Sequence, residues 1–311
     1  MKTKIKKGII SGLCIATGIY LFLNYCNKQD NENDNFTATQ EVQQRVRQCP
    51  QSEEIVNNMD AIIGKQEGTA LYKSGVKFSG RRAHPLPNAT TISNAGMALY
   101  FREIGDIQTA ETLERAIEEY IGRDKRERYN YGTNERQSLG YQSQNQRVMA
   151  NLVMAYSLAQ QGKTEEASKL IKKVSGIKGF PYERNIMYGV ALAGIGQDKI
   201  LNKHIRTIHA VNRQTRRNSG GTLAFLKNMQ EEFQQVEDLA WQAIGMCTKG
   251  MYKNGQKHLE KGLKGKRKQS GLYINEIYAL TGKIEAHTFA QASVALAYVR
   301  CFCNDEDSAS K

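Results

Sequence analysis

Beyond Pro87 the chain carries one proline, Pro181, among 311 residues that otherwise hold little to stop a helix. From Ile92 onward apolar residues recur at helical spacing, and single glycines interrupt them. Met97, Leu99, Tyr100 and Ile104 precede Gly105, and Ile107, Ala110, Leu113, Ile117 and Ile121 follow it. The same statement runs from Val148 to Val174 around Gly162 and from Ile186 to Ile208 around Gly196. Weaker copies run from Leu239 to Leu263 around Asn254-Gly255 and from Tyr273 to Val299 around Gly282. Each is expected to be helix, tight turn, helix, because glycine suits the left-handed residue that ends a helix. The fold class expected is all-α, with stacked antiparallel helix pairs.

A second feature concerns location. Residues Gly8 to Tyr25 form an uncharged, largely apolar run of eighteen behind Lys2, Lys4, Lys6 and Lys7. That length just crosses a hydrocarbon core of roughly 30 Å. A cleavable signal wants small residues near its end, where Leu21, Phe22 and Leu23 stand. Leu13 and Tyr25 sit before Cys14 and Cys26, which disfavours a lipoprotein site. The reading is an uncleaved N-terminal transmembrane helix, residues 1–26, with its lysine end in the cytoplasm and the body outside. Residues 27–91 are expected to be a polar stalk and an irregular segment, with a short helix over Val42–Cys49 or Glu53–Ile63 and irregular structure or a small hairpin over 64–91. Residues 92–303 are expected to be a helical-repeat domain holding a polar insertion from Arg123 to Arg147 with Tyr129, Tyr131 and Tyr141, and 304–311 an acidic tail.

The clearest helix pair is Leu152-Val-Met-Ala-Tyr-Ser-Leu-Ala-Gln-Gln-Gly162-Lys-Thr-Glu-Glu-Ala167-Ser-Lys-Leu-Ile171. It resembles a tetratricopeptide repeat, whose unit of about 34 residues sets small residues at fixed offsets around the turn. Ala155 and Ala167 occupy those offsets, Gly105 and Ala110 repeat the second, and Gly189 and Gly196 keep the first, while Leu201 departs from the second. The resemblance covers residues 92–210 best and 236–300 weakly. It implies a non-catalytic scaffold, a solenoid whose first helices line a concave groove for a protein or peptide partner. Asn151, Tyr156, Arg184 and Tyr188 are the groove candidates.

Catalytic and metal motifs are missing from the sequence. No H-E-x-x-H, P-loop or G-x-S-x-G occurs. His204 and His209, five apart, diverge on a helix, and His84, His258 and His287 are read as having no acidic or cysteine neighbours at suggestive offsets. Cys301-Phe-Cys303 is too tight for a zinc knuckle. Cys49, Cys247, Cys301 and Cys303 are expected to lie buried on apolar helix faces. An oxidising compartment would allow disulfides whose pairing the spacing leaves open. No catalytic residue, metal ligand or cofactor is assigned.

Charge is the functional signal. The formal charge is +13, of which the leader lysines supply four and the body nine. Lys203, Arg206, Arg213, Arg216 and Arg217 form one acid-free cluster; Lys249 to Lys268 holds eight cations against Glu260 alone. Lys257, Lys261 and Lys264 share a helix face, and Lys266 and Arg267 extend it. These point to an acidic partner, with anionic lipid or polymer contact as an accompaniment. Nucleic acid is disfavoured, because no recognition motif or interleaved aromatics accompany the charge. The function expected is a membrane-anchored scaffold for protein–protein interaction. The alternatives are an envelope-associated enzyme on an irregular helical scaffold and a self-assembling structural protein of the envelope.

Overall fold

The computed structural model describes residues 49–120, 127–130, 135–138, 141–177, 180–217, 235–278 and 283–303. The candidate anchor 8–25, the stalk to residue 48 and the acidic tail lie outside these. Among the described residues no helix is long and apolar enough to cross a membrane. The body is predominantly helical. Its helices are α1 (Pro50–Ile62), α2 (Thr91–Ile104), α3 (Ile107–Tyr120), α4 (Tyr141–Gln160), α5 (Thr164–Ser175), α6 (Ile186–Gly194), α7 (Lys199–Arg217), α8 (Val236–Thr248), α9 (Tyr252–Lys264) and α10 (Thr288–Phe302).

Four tight pairs follow from the glycine pattern: α2/α3, α4/α5, α6/α7 and α8/α9. Their turns close on Gly105, Gly162, Gly196 and Gly250, each at a φ between 72° and 89°, where a side chain would be strained. Thr90 caps α2 through the Ser93 amide, and Asn185 caps α6 through the Tyr188 amide. The first helix of each pair is apolar nearly all round, and the second is apolar on one stripe. A helix of the first kind must be surrounded, and one of the second kind covers it.

The packing follows from that difference. Helix α2 lies against α4, α4 against α6, α6 against α8, α8 against α10, and α10 returns to α2. Five inner helices thus close a ring, with α3, α5, α7 and α9 outside it and α1 packed across α10. An open superhelix would leave its first and last units apart, so the concave groove expected from the sequence gives way to a filled centre. Residues Thr288 to Ala297 of α10 are buried without a break. At the closing seam the Gly96 backbone of α2 lies so near α10 that a Cβ there would sit 3.2 Å from the Phe289 ring.

Two differences from the sequence reading have clear causes. Asn254-Gly255 is not a turn: the chain turns five residues earlier, at Gly250, and Gly255 lies inside α9. It is glycine because a Cβ there would stand 2.3 Å from Cys247 Sγ and 3.2 Å from Cys301 Sγ. The helix pair expected around Gly282 is also absent. Strands β7 (Glu276–Tyr278) and β8 (Lys283–His287) occupy its first half, and only α10 remains helical. Strand β8 pairs antiparallel with β1 (Gly75–Ser79), which pairs with β2 (Arg82–Pro85), giving a sheet of order β2-β1-β8-β7. Short antiparallel hairpins also pair β3 (Glu127–Asn130) with β4 (Glu135–Ser138), within residues 123–147, and β5 (Lys268–Gln269) with β6 (Leu272–Tyr273).

The short helix expected over Glu53–Ile63 and the small hairpin expected within 64–91 are present as α1 and β1–β2, and residues 49–91 belong not to a stalk but to the same core. Cys49, Ile55, Met59, Leu71, Val76 and Phe78 are all buried in it. Two buried amides fasten the connecting segments to the inner helices in the same way. Asn94 of α2 accepts from the Tyr72 amide at 2.8 Å and donates to its carbonyl at 3.1 Å. Gln291 of α10 does so for Tyr273, at 3.0 and 2.8 Å.

Cys49, Cys247 and Cys301 are buried as expected and Cys303 is half-buried, and all four are paired. Cys49 bonds Cys303 and Cys247 bonds Cys301, with sequence separations of 254 and 54. Both bridges converge on the end of α10 and tie it to α1 and α8. Loops of this length are worth on the order of 4 kcal/mol each in the chain-entropy account. A Cys49→Ser/Cys303→Ser chain is therefore expected to lose about 2–5 kcal/mol in denaturant unfolding without reductant. A loss under about 1 kcal/mol would show that the ring closes without this bridge.

Candidate functional site

The described members of the two basic clusters lie on α7 and α9, outer helices whose starts are joined by one ion pair. On α7, Lys199, Lys203 and Arg206 are exposed at spacings that keep them on one face. On α9, Lys253, Lys257, Lys261 and Lys264 do the same, with Glu260 the acid among them. Lys266 is half-buried just past α9, and Arg267 is exposed beside it. The side chains of Arg213, Arg216 and Arg217 lie outside the described set. An ion pair between Lys249, before α9, and Asp198, before α7, holds the starts of the two helices together. Further along, His258 of α9 feels the charge of His209 on α7. Lys203 has an exposed Glu183 carboxylate at 3.7 Å, a pair worth little in water.

The strip between these helices belongs to α8. Asp238 is exposed and Gln242 half-buried on it, and the Gln242 carbonyl oxygen lies 2.8 Å from His258 Nε2. Burial, then His209 and Lys261, push the His258 imidazole down to about 4. A neutral ring can donate Nε2–H to Gln242, and a cationic one would stand among like charges.

The four groove candidates do not share an open face. Tyr156 is fully buried, Asn151 is half-buried with Nδ2 donating to the Arg147 carbonyl at 2.8 Å, and Arg184 is exposed on a short 3-10 turn. Tyr188 is half-buried, its ring 5.1 Å from that of Tyr182. Tyr156 instead joins a polar knot where the inner helices end. Arg300 of α10 donates to its hydroxyl from Nη2 at 2.9 Å and from Nε at 3.2 Å, and Thr248 of α8 is 3.0 Å away. The same guanidinium lies 3.3 Å from the Glu103 carboxylate of α2 and donates to Gln160 of α4. Burial pushes the Tyr156 phenol up, so it is a neutral acceptor here.

Sequence reasoning missed one charged network, at the sheet end of the ring. His287 Nε2 lies 3.2 Å from Glu285 Oε2, and Lys77 Nζ lies 3.1 Å from Glu285 Oε1. Asn275 accepts from the His287 amide at 3.0 Å and donates to Glu237 at 2.8 Å. Burial pushes the Glu237 carboxyl up, while His287 and Asn275 pull it back. The signal was the spacing Glu285-x-His287, which shares a face on a strand and diverges on the helix assumed there. Such an array can hold or pass a proton. Among the described residues no group of three His, Cys, Asp or Glu could hold a metal ion.

Comparison with protein-family models, with curated proteins and with solved structures finds no match to this chain.

Two measurements test these sites. Arg300→Met strands the buried Glu103 carboxylate and is expected to cost about 3–5 kcal/mol in urea unfolding, with much of it recovered in Glu103→Gln/Arg300→Met. For His258 the folded ring titrates below its ordinary 6.5, at about 4. Its contribution is therefore full above pH 6.5 and is lost as pH falls toward 4. Stability relative to a His258→Gln chain should drop by roughly 2 kcal/mol across that window, the half-exposed setting trimming the full linkage value. Parallel pH curves for the two proteins would refute it.

Proposed function

We propose that the protein is a membrane-tethered, non-catalytic scaffold that binds an acidic partner protein on the outer face formed by α7 and α9. The observation that carries this reading is the exposure of two basic clusters, separate in sequence, on outer helices joined at their starts, with Lys257, Lys261 and Lys264 in one row. The body faces outside the cytoplasm. The lysine-flanked apolar run supports that orientation, and two disulfides fit an oxidising compartment. The helix pairs are tetratricopeptide-like units, with Ala155 and Ala167 buried at the offsets the resemblance assigns. Because the array closes, the partner meets its convex side, and Tyr156 serves the core instead of a groove.

An enzymatic reading draws on the Glu285–His287–Asn275–Glu237 network alone. Its discriminating result is loss of cellular function in Glu285→Gln or Glu237→Gln with the fold intact.

The scaffold reading is tested by capture of partners from detergent-solubilised native membranes on the full chain at about 50 and 300 mM salt. A discrete protein retained at low salt and lost on charge reversal of Lys257, Lys261 and Lys264 is expected. No discrete protein at either salt would overturn the reading.

A further inference from the structure

The two disulfides that meet on α10 place their sulfurs at opposite kinds of helix end. Cys49 is the N-cap residue of α1, with Pro50 after it and no side-chain cap bond of its own. A helix start carries about half a positive charge, which favours a thiolate there. Glu53 in the first turn works against that charge, its Oε1 accepting from the Cys49 amide at 3.1 Å. Cys247 and Cys301 lie in the last turns of α8 and α10, and Cys303 is the C-cap residue of α10. A helix end carries about half a negative charge and disfavours a thiolate. Of the four sulfurs, Cys49 is therefore the best placed to depart, and a disulfide breaks faster when the departing thiol is the more acidic one.

Access separates the bridges in the same sense. Cys247 and Cys301 are each 2% exposed. The α9 backbone covers them at Gly255, where a Cβ would stand 2.3 Å from one sulfur and 3.2 Å from the other. In the other bridge Cys49 is fully buried, but Cys303 is half-buried. An incoming thiol can reach Cys303 and displace Cys49, which is the order the helix ends also favour.

We propose that Cys49–Cys303 is a thiol-exchange site, opened by the dithiol of a thiol–disulfide oxidoreductase while Cys247–Cys301 stays closed. A thiolate of the oxidoreductase attacks Sγ of Cys303, the bond between Cys303 and Cys49 breaks, and Cys49 leaves as a thiolate. The second thiol of the oxidoreductase then attacks its own sulfur in the mixed disulfide, and Cys303 leaves as a thiolate. Solvent protons complete the two thiols. Two electrons pass, so the oxidoreductase ends as a disulfide and this chain as a reduced pair. What is released is the start of α1 from the end of α10. The ring stays shut, because Cys247–Cys301 still ties α10 to α8 and Arg300 still spans Glu103, Tyr156 and Gln160. The site stands apart from the scaffold reading and makes the joint between α1 and α10 sensitive to redox state.

The test takes the full chain in detergent, blocks free thiols, and adds dithiothreitol in steps, each quenched with iodoacetamide and read by peptide mass. The expected result is that Cys49 and Cys303 become alkylated at least about tenfold sooner than Cys247 and Cys301. Hydrogen exchange then quickens in α1 and stays slow in α10. Reduced glutathione, a monothiol, is expected to leave its mixed disulfide on Cys303. Glu53→Gln removes the opposing charge and is expected to speed the reduction about twofold or more. Equal rates for the two bridges, or earlier reduction of Cys247–Cys301, overturn the proposal, and so does quickened exchange along α10. Glutathione on Cys49, or a Glu53→Gln chain reduced no faster, overturns Cys49 as the departing sulfur and with it the mechanism.

Discussion

The rest of the structure depends on the contact between α2 and α10, the first and last helices of the inner ring. Every other neighbour pair in the ring is close in sequence; this one joins ends of the body nearly two hundred residues apart. It has few large side chains to work with. Helix α10 reads Thr-Phe-Ala-Gln-Ala-Ser-Val-Ala-Leu-Ala, and Gly96 on α2 lets the Phe289 ring and the Ala292 methyl come up to the backbone. Small residues permit close approach but bury little apolar area each. A seam of this kind gains from closeness and needs other forces to hold its register.

Those forces sit at the two ends of α10. At its start, Thr288 donates to the Lys73 carbonyl, Gln291 clamps Tyr273, and β8 adds itself to β1. At its end, two disulfides and the Arg300 knot fasten it to α1, α8, α4 and α2. The Arg300–Glu103 pair is a costly way to gain stability, since an ion pair out of water roughly repays its own desolvation. Its value is specificity. A guanidinium that must find Tyr156, Gln160 and Glu103 together is satisfied only when the C-terminal ends of three inner helices meet in one register, and an open or slipped ring leaves it stranded.

Helix pairing was legible in the sequence because it is local. Gly105, Gly162 and Gly196 sit at left-handed positions that only the turn explains, and they mark it without tertiary knowledge. Closure was legible too, although the resemblance to a solenoid repeat drew attention from it. Ala95-Gly-Met-Ala-Leu-Tyr, Leu152-Val-Met-Ala-Tyr, Ile186-Met-Tyr-Gly-Val and Ala292-Ser-Val-Ala-Leu-Ala have no polar side to turn toward a groove. What could not be read were uses set by distant partners. Gly255 looks like a turn residue until a disulfide from two other helices is placed against it, and Asn-Gly is a strong local turn signal. Residues 273–287 carry too short an alternation to separate a strand from a helix, and β1, which decides the matter, lies some two hundred residues away.

A closed ring also limits where function can lie. Its centre is filled, and the inner helices surface only at their ends and along narrow strips between outer helices. One end holds the Arg300 knot, whose polar groups answer one another. The other holds the Glu285–His287 network, whose carboxylates are likewise partnered by lysine, histidine and asparagine. The outer helices are left as the surface free to take a partner. Among their described residues, α5 balances Glu165 and Glu166 against Lys172 and Lys173, whereas α7 and α9 present cations with little to answer them. Mutual repulsion along those rows costs stability in the free protein, and an anionic ligand relieves it. That unrelieved charge sets α7 and α9 apart from the other outer helices.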